Sequence, residues 1–221
     1  MIRILSSVTV ALVLACAPPA MADDDISKVN GSIETSAGGR YGDLDTVNGA
    51  VRITDGVQAG AASTVNGSIS VGNGARLESV ETVNGSIRLG HDVQVAGSIE
   101  AVNGSVFVDQ GSTVGKDVET VNGAIGLVRA QVGGNIETVN GNITVGIGSQ
   151  VRGGITVSRP HGWFTGVPKR KPRVVIGPQA VVEGALVFER DVDLYVHRSA
   201  RTGPVTGAEA VVFDTDTAPR D

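Results

Sequence analysis

Val65-Asn66-Gly67-Ser68-Ile69-Ser70-Val71-Gly72-Asn73-Gly74-Ala75-Arg76-Leu77-Glu78-Ser79-Val80-Glu81-Thr82 is one period of a repeat, and its reading decides the fold. Ile69/Val71 and Ala75/Leu77 alternate with polar neighbours, the period-two signature of half-buried strands. Val80 and Val65 read as a third apolar edge, and Gly67, Gly72 and Gly74 fall between the strands, at corners that need permissive dihedrals. Val-Asn-Gly opens the same phrase at Val29, Val47, Val65, Val83, Val102, Val121 and Val139, always 18 or 19 residues apart. That spacing is too short for a helix-pair repeat, and Asn-Gly in every period breaks helices. Three strands per period predict an all-β, single-stranded, three-sided parallel β-solenoid. Each coil of such a fold completes its backbone hydrogen bonds only by stacking on the next.

Composition agrees with a narrow, repetitive core. The 221 residues include 31 glycines, 41% are hydrophobic, and only 3% are aromatic. Valine, isoleucine, leucine and alanine must therefore fill the space that Phe, Tyr and Trp usually take. Disorder would also raise the glycine count, but it does not place β-branched residues at fixed spacing. A net charge of −5 and a pI near 5.2 argue against nucleic acid as a partner.

Stacking turns every repeated residue into a column. Asn30, Asn48, Asn66, Asn84, Asn103, Asn122 and Asn140 form a predicted amide ladder, each side chain bonded to its neighbours above and below. Asn30, Asn66, Asn84 and Asn103 also match the glycosylation pattern Asn-Gly-Ser. Inward or corner-packed ladder amides would leave no room for a glycan. Two residues before the later valines stand Asp45, Ser63, Glu81, Glu100, Glu119 and Glu137. The four consecutive glutamates form an acidic stripe whose mutual repulsion solvent, cations or a basic partner would relieve.

The repeat is expected to occupy residues 23–157 and to break at 158–173. That stretch holds three prolines, the only Trp and a basic cluster. Prolines deny it a central strand, so it reads as an extruded loop. Trp163, Phe164, Lys169, Arg170, Lys171 and Arg173 are its candidate partner-binding residues, suited to anionic lipid headgroups, lipopolysaccharide phosphates or an acidic protein. Residues 174–213 return as atypical terminal coils with a charged cap, and 214–221 reads as a disordered tail. Residues 1–22 read as a targeting segment: Arg3, an apolar run over 4–15, then Ala20-Met21-Ala22 before Asp23. Val13-Leu14-Ala15-Cys16 alternatively resembles a lipobox, which would lipidate Cys16. Either way the expected location is exported, periplasmic or at the cell surface.

Enzymatic chemistry finds little support. Hexapeptide-type acyltransferases and their zinc-dependent relatives need converging histidines, whereas His91, His161 and His197 lie in a coil, the loop and the terminal region. No catalytic residue, metal site or cofactor is expected. The phrase Val-Asn-Gly-Ser-Ile-x-Val, recurring behind a targeting segment over about Val29 to Val157, resembles bacterial adhesin-like β-strand-repeat domains of unknown function. Coil length and Ile176-Gly177-Pro178-Gln179-Ala180 also resemble bactofilins, which are polymer-forming scaffolds. Both resemblances imply a right-handed solenoid without enzymatic activity. The expectation is an envelope-associated binding or adhesin-like module. The alternative is a scaffold that self-associates through solenoid ends, with an acyltransferase further off.

Overall fold

The computed structural model describes residues 24–160, 170–215 and 217–219. The expected residues of the targeting segment, Cys16 included, and His161, Trp163, Phe164 and Lys169 lie outside them. The described chain winds as a three-sided solenoid of parallel strands. Face 1 stacks ten strands, from Ile26–Asn30 and Leu44–Asn48 down to Leu186–Phe188 and Val205–Thr206. Face 2 also stacks ten, from Ile33–Glu34 to Ala210–Phe213. Face 3 stacks seven, from Arg76–Leu77 to Arg201–Thr202, and single bridges at Arg40, Gln58 and Arg76 extend it upward. Ten rungs at ~4.8 Å each make a rod of ~43 Å.

Each face sends alternate residues inward. Ile69 and Val71 from face 2, Leu77 from face 3 and Val80 from face 1 meet in one core triangle. The triangle is repeated by Ile87, Leu89, Val95 and Ile99 in the next coil. Burying each such side chain contributes ~1.5–3 kcal/mol, so the core grows by equal increments per coil. The valine of Val-Asn-Gly is not part of it. Val65 is 40% exposed, and Val47, Val83, Val102 and Val121 stand out in the same way. The inward position belongs to the preceding residue, usually threonine. Thr46, Thr64, Thr82 and Thr120 are buried, and each hydroxyl donates to a glycine carbonyl of the preceding coil at 2.9–3.0 Å. A buried hydroxyl with a partner suits the face, and that frees the β-branched valine to point outward.

Thr138 breaks this pattern: its buried Oγ1 has no hydrogen-bond partner. Its strand is cut short at Ile136–Thr138, and the Asn140 N–H donates back to the Val121 carbonyl. The two positions should therefore respond oppositely to one substitution. Thr120→Val loses a made bond and is expected to cost about 1 kcal/mol. Thr138→Val removes an unsatisfied hydroxyl and is expected to be neutral or stabilising. Urea denaturation of the two variants side by side checks the pair, and equal losses would contradict it.

The glycines at the corners serve two different needs. The corner between faces 2 and 3 is left-handed in successive coils, at Gly38, Gly56, Gly74, Asp92, Gly111, Arg129, Gly148 and Gln179. From Gly49 onward the glycine of Val-Asn-Gly is there for close approach instead. A Cβ on Gly67, Gly85, Gly104 or Gly123 would lie 1.7–2.0 Å from the carbonyl oxygen of the equivalent glycine one coil earlier. Gly72 is likewise crowded, by the backbone and carboxylate of Asp55, rather than left-handed.

At the repeat's break the sheets continue without a gap. Ile143–Val145 pairs directly with Arg173–Ile176, and Ile155–Val157 with Leu186–Phe188. The described residues at both ends of 158–173 are tied to the solenoid. The Ser158 N–H still donates to the Thr138 carbonyl at 2.9 Å, Arg159 bonds to Glu189, and Arg173 already belongs to a strand. The described part of the final segment is not free either. Asp214 pairs with Arg198 at 3.3 Å, and the Pro219 carbonyl accepts from Arg173, so the chain turns back along the outside of face 2.

Candidate functional site: a groove along the Val-Asn-Gly face

Outward positions on face 1 form three parallel columns. Strict register aligns Ser63, Glu81, Glu100, Glu119, Glu137 and Thr156 in one column. Two residues on runs the valine column, and one residue further the asparagine column, Asn48 with Asn66, Asn84, Asn103 and Asn122. The glutamates and valines line one shallow groove of about 440 Å³ from Ser63 to Ser158, with Thr64, Thr82, Ala101, Thr120 and Thr138 between them. Its length follows the solenoid axis over six rungs, ~24 Å.

The asparagines bond as a continuous chain. Each Nδ2 from Asn48 to Asn140 donates to the Oδ1 one coil earlier, at 2.9–3.1 Å. The Arg190 guanidinium closes the chain, donating to Asn140 Oδ1 at 2.8 Å and to the Val139 carbonyl at 3.0 Å. This ladder is not packed inward: all seven amides are exposed along the corner leading into face 2. Steric exclusion of a glycan therefore fails as an argument. What holds the amides is their bonding to one another, since Asn48, Asn66, Asn84, Asn103, Asn122 and Asn140 have each committed a donor.

Electrostatics single out the centre of the groove. Partial burial pushes the Glu119 carboxyl above its ordinary range, and Glu137, Glu100 and Asp117 add to the rise. Higher up, Ser63 Oγ donates to Asp45 at 2.6 Å, so the column has a local partner where it begins. Ser98 Oγ does the same for Glu100 at 3.0 Å. Glu81, Glu119 and Glu137 form no ion pair among the described residues.

The described part of the basic cluster does not present one patch. Arg170 and Lys171 are exposed, with Lys171 3.6 Å from Asp191. Arg173 is half-buried on face 2, its guanidinium 4.6 Å from the Tyr195 ring centroid. His91 sits 3.8 Å from Asp109 at one corner, and His197 bonds to Ser199 at 2.8 Å in a coil near the C-terminal end. Among the described residues no three His, Cys, Asp or Glu side chains converge to hold a metal ion. No helix long and apolar enough to cross a membrane occurs among the described residues.

The glutamate and asparagine columns are visible in the sequence by spacing alone. The valine column is equally visible but misleading, because apolar character argues for the core. Arg190 carries no such signal, since it reaches the ladder from a coil that lies beyond the break in the repeat.

No family model, curated protein or solved structure matches the chain. The likeness to adhesin-like repeat domains and bactofilins thus extends to a solenoid of parallel strands and no further.

Proposed function

We propose that the protein is an exported, non-enzymatic binding module of the cell envelope whose recognition surface is the groove on face 1. One observation carries this reading: a stripe of glutamates that form no ion pair among the described residues runs beside a stripe of exposed valines, in register, over several rungs. A solvated structural face has no need for outward valines at every rung, and stacked carboxylates oppose folding. Together the two stripes suit an elongated ligand that offers positive charge along one edge and apolar surface along the other. An extended basic segment of an envelope protein has that chemistry. The targeting segment at residues 1–22 supports export, and Trp163, Phe164, Lys169, Arg170 and Lys171 would supply a second contact with anionic surface.

The test is co-sedimentation with envelope fractions, comparing the wild type with the triple variant Glu100→Gln, Glu119→Gln, Glu137→Gln. Wild-type protein is expected in the pellet, released by raised salt as charge pairing requires. The triple variant, with an unchanged circular dichroism spectrum, is expected in the supernatant. Equal retention of both proteins would sink this reading and move the contact to the 158–173 segment.

A further inference from the structure

The groove on face 1 repeats at the rung spacing, ~4.8 Å, and that period restricts what can lie in it. Four carboxylates stand on consecutive rungs, Glu81, Glu100, Glu119 and Glu137, with Ser63 and Thr156 holding the same column above and below them. The facing wall is the valine column, 39–40% exposed at Val65, Val83, Val102 and Val121. Glutamate and valine lie two residues apart along each strand, so the walls stand ~6.6 Å apart.

The backbone beneath offers a ligand nothing to pair with. Every strand of face 1 from Leu44–Asn48 to Leu186–Phe188 has a hydrogen-bonded neighbour on both sides. A peptide therefore cannot join the sheet here as an added strand, and side chains must hold it. Width and period then discriminate among the backbones an elongated peptide can adopt. An α-helix, ~10–12 Å across, is too wide to enter between the walls. An extended strand returns a side chain to the same edge every ~6.7 Å, which matches neither one rung nor two. A polyproline II helix returns one every ~9.3 Å, against ~9.6 Å for two rungs. It also has three edges, so one faces the glutamates and a second the valines while the third stays in solvent.

We infer that the groove takes a polyproline II segment carrying Lys or Arg at every third position, with proline or an aliphatic residue beside each. The inference rests on the groove being the recognition surface proposed above. In this register one cation sits between Glu81 and Glu100, and the next, three residues on, between Glu119 and Glu137. An ammonium has three donors, enough to reach both carboxylates of a stacked pair, and each cation relieves one like-charge contact. Two cations complete the column, because Ser63 and Thr156 end it. A proline-rich segment is already ordered before it binds, so little conformational freedom is lost on a shallow surface.

Fluorescence anisotropy of labelled nine-residue peptides with the intact protein tests this. The probe repeats Lys-Pro-Pro three times. One control gathers the same residues into a block of lysines followed by a block of prolines, and the other repeats Lys-Gly-Gly, which keeps the spacing without the backbone preference. The probe is expected to bind at least tenfold tighter than either control and to weaken as salt is raised. Glu100→Gln, Glu119→Gln, Glu137→Gln together should cost the probe at least tenfold, and Val102→Ser with Val121→Ser should weaken it several-fold. Comparable binding of the three peptides, no binding by any, or probe binding that survives the glutamine variant would each overturn the inference. Envelope retention of the same glutamine variant separates the two readings. Retention lost without a preference among the peptides would leave the groove as the recognition surface and remove only the polyproline II ligand.

Discussion

Gly104→Ala is expected to split the unfolding of this solenoid into two transitions and to lower the stability of the central coils by about 3 kcal/mol or more. The added Cβ would lie 1.7 Å from the Gly85 carbonyl oxygen and 2.5 Å from its carbon. Both neighbours are backbone, fixed by hydrogen bonds to adjacent coils, so neither can rotate away. Relief requires the two coils to separate locally. That in turn strains the Asn103–Asn84 bond of 3.0 Å and the bond from Thr120 to the Gly104 carbonyl. In a one-dimensional array, stability is a sum of coil terms and interface terms, and weakening one central interface uncouples the halves. Gly126→Ala is the matched control. Its Cβ would meet only the Phe107 ring edge at 3.3 Å, a side chain able to shift, so a loss below about 1 kcal/mol is expected. Thermal scans with hydrogen exchange on both variants check the contrast. A single transition near the wild-type midpoint for Gly104→Ala would show that the stack is more compliant than its geometry implies.

That contrast also shows where sequence reading succeeds and where it stops. Period and residue type were enough for three parallel faces, because Ile69, Val71, Leu77 and Val80 can only share a core if the chain coils. The same logic sent Val65 inward and was wrong. Hydrophobicity ranks valine above threonine, but the inward threonine can give its hydroxyl to the carbonyl of a close-stacked glycine, here Gly49. That compensation depends on coil-to-coil distance, which no single period reveals. The left-handed corner is similarly hidden at Asp92, Arg129 and Gln179, where side chains adopt a backbone conformation that neighbouring coils give to glycine. The three prolines of 158–173 make Arg173 read as part of a loop. Only the pairing of Val174 with Ile143 places it in a sheet and its guanidinium over Tyr195.

Removing the acidic stripe should strengthen the fold while weakening its proposed function. Replacing Glu81, Glu100, Glu119 and Glu137 together by glutamine eliminates three stacked like-charge contacts in register. Exposed pairs of this kind cost ~0.2–1 kcal/mol each, and the solvation of these side chains places them at the lower end, so a gain of about 1 kcal/mol at neutral pH is expected. The pH dependence has a definite sign. Glu119 holds its proton more tightly in the folded state than its ordinary value of 4.5 implies, through burial first and then Glu137, Glu100 and Asp117. Its contribution is therefore fully present below the unfolded pKa and is lost as pH rises through the raised folded one. Wild type and quadruple variant should converge in stability near pH 4 and diverge toward pH 7, with the variant the more stable. Denaturation midpoints at the two pH values measure this directly, and a constant difference would show that the carboxylates do not interact. A chain that tolerates this repulsion at consecutive rungs, where glutamine would fit the same register, keeps a destabilising charge at the surface proposed to bind. Stability sacrificed at one column and recovered in the core and the asparagine ladder is what a recognition surface on a rigid scaffold requires.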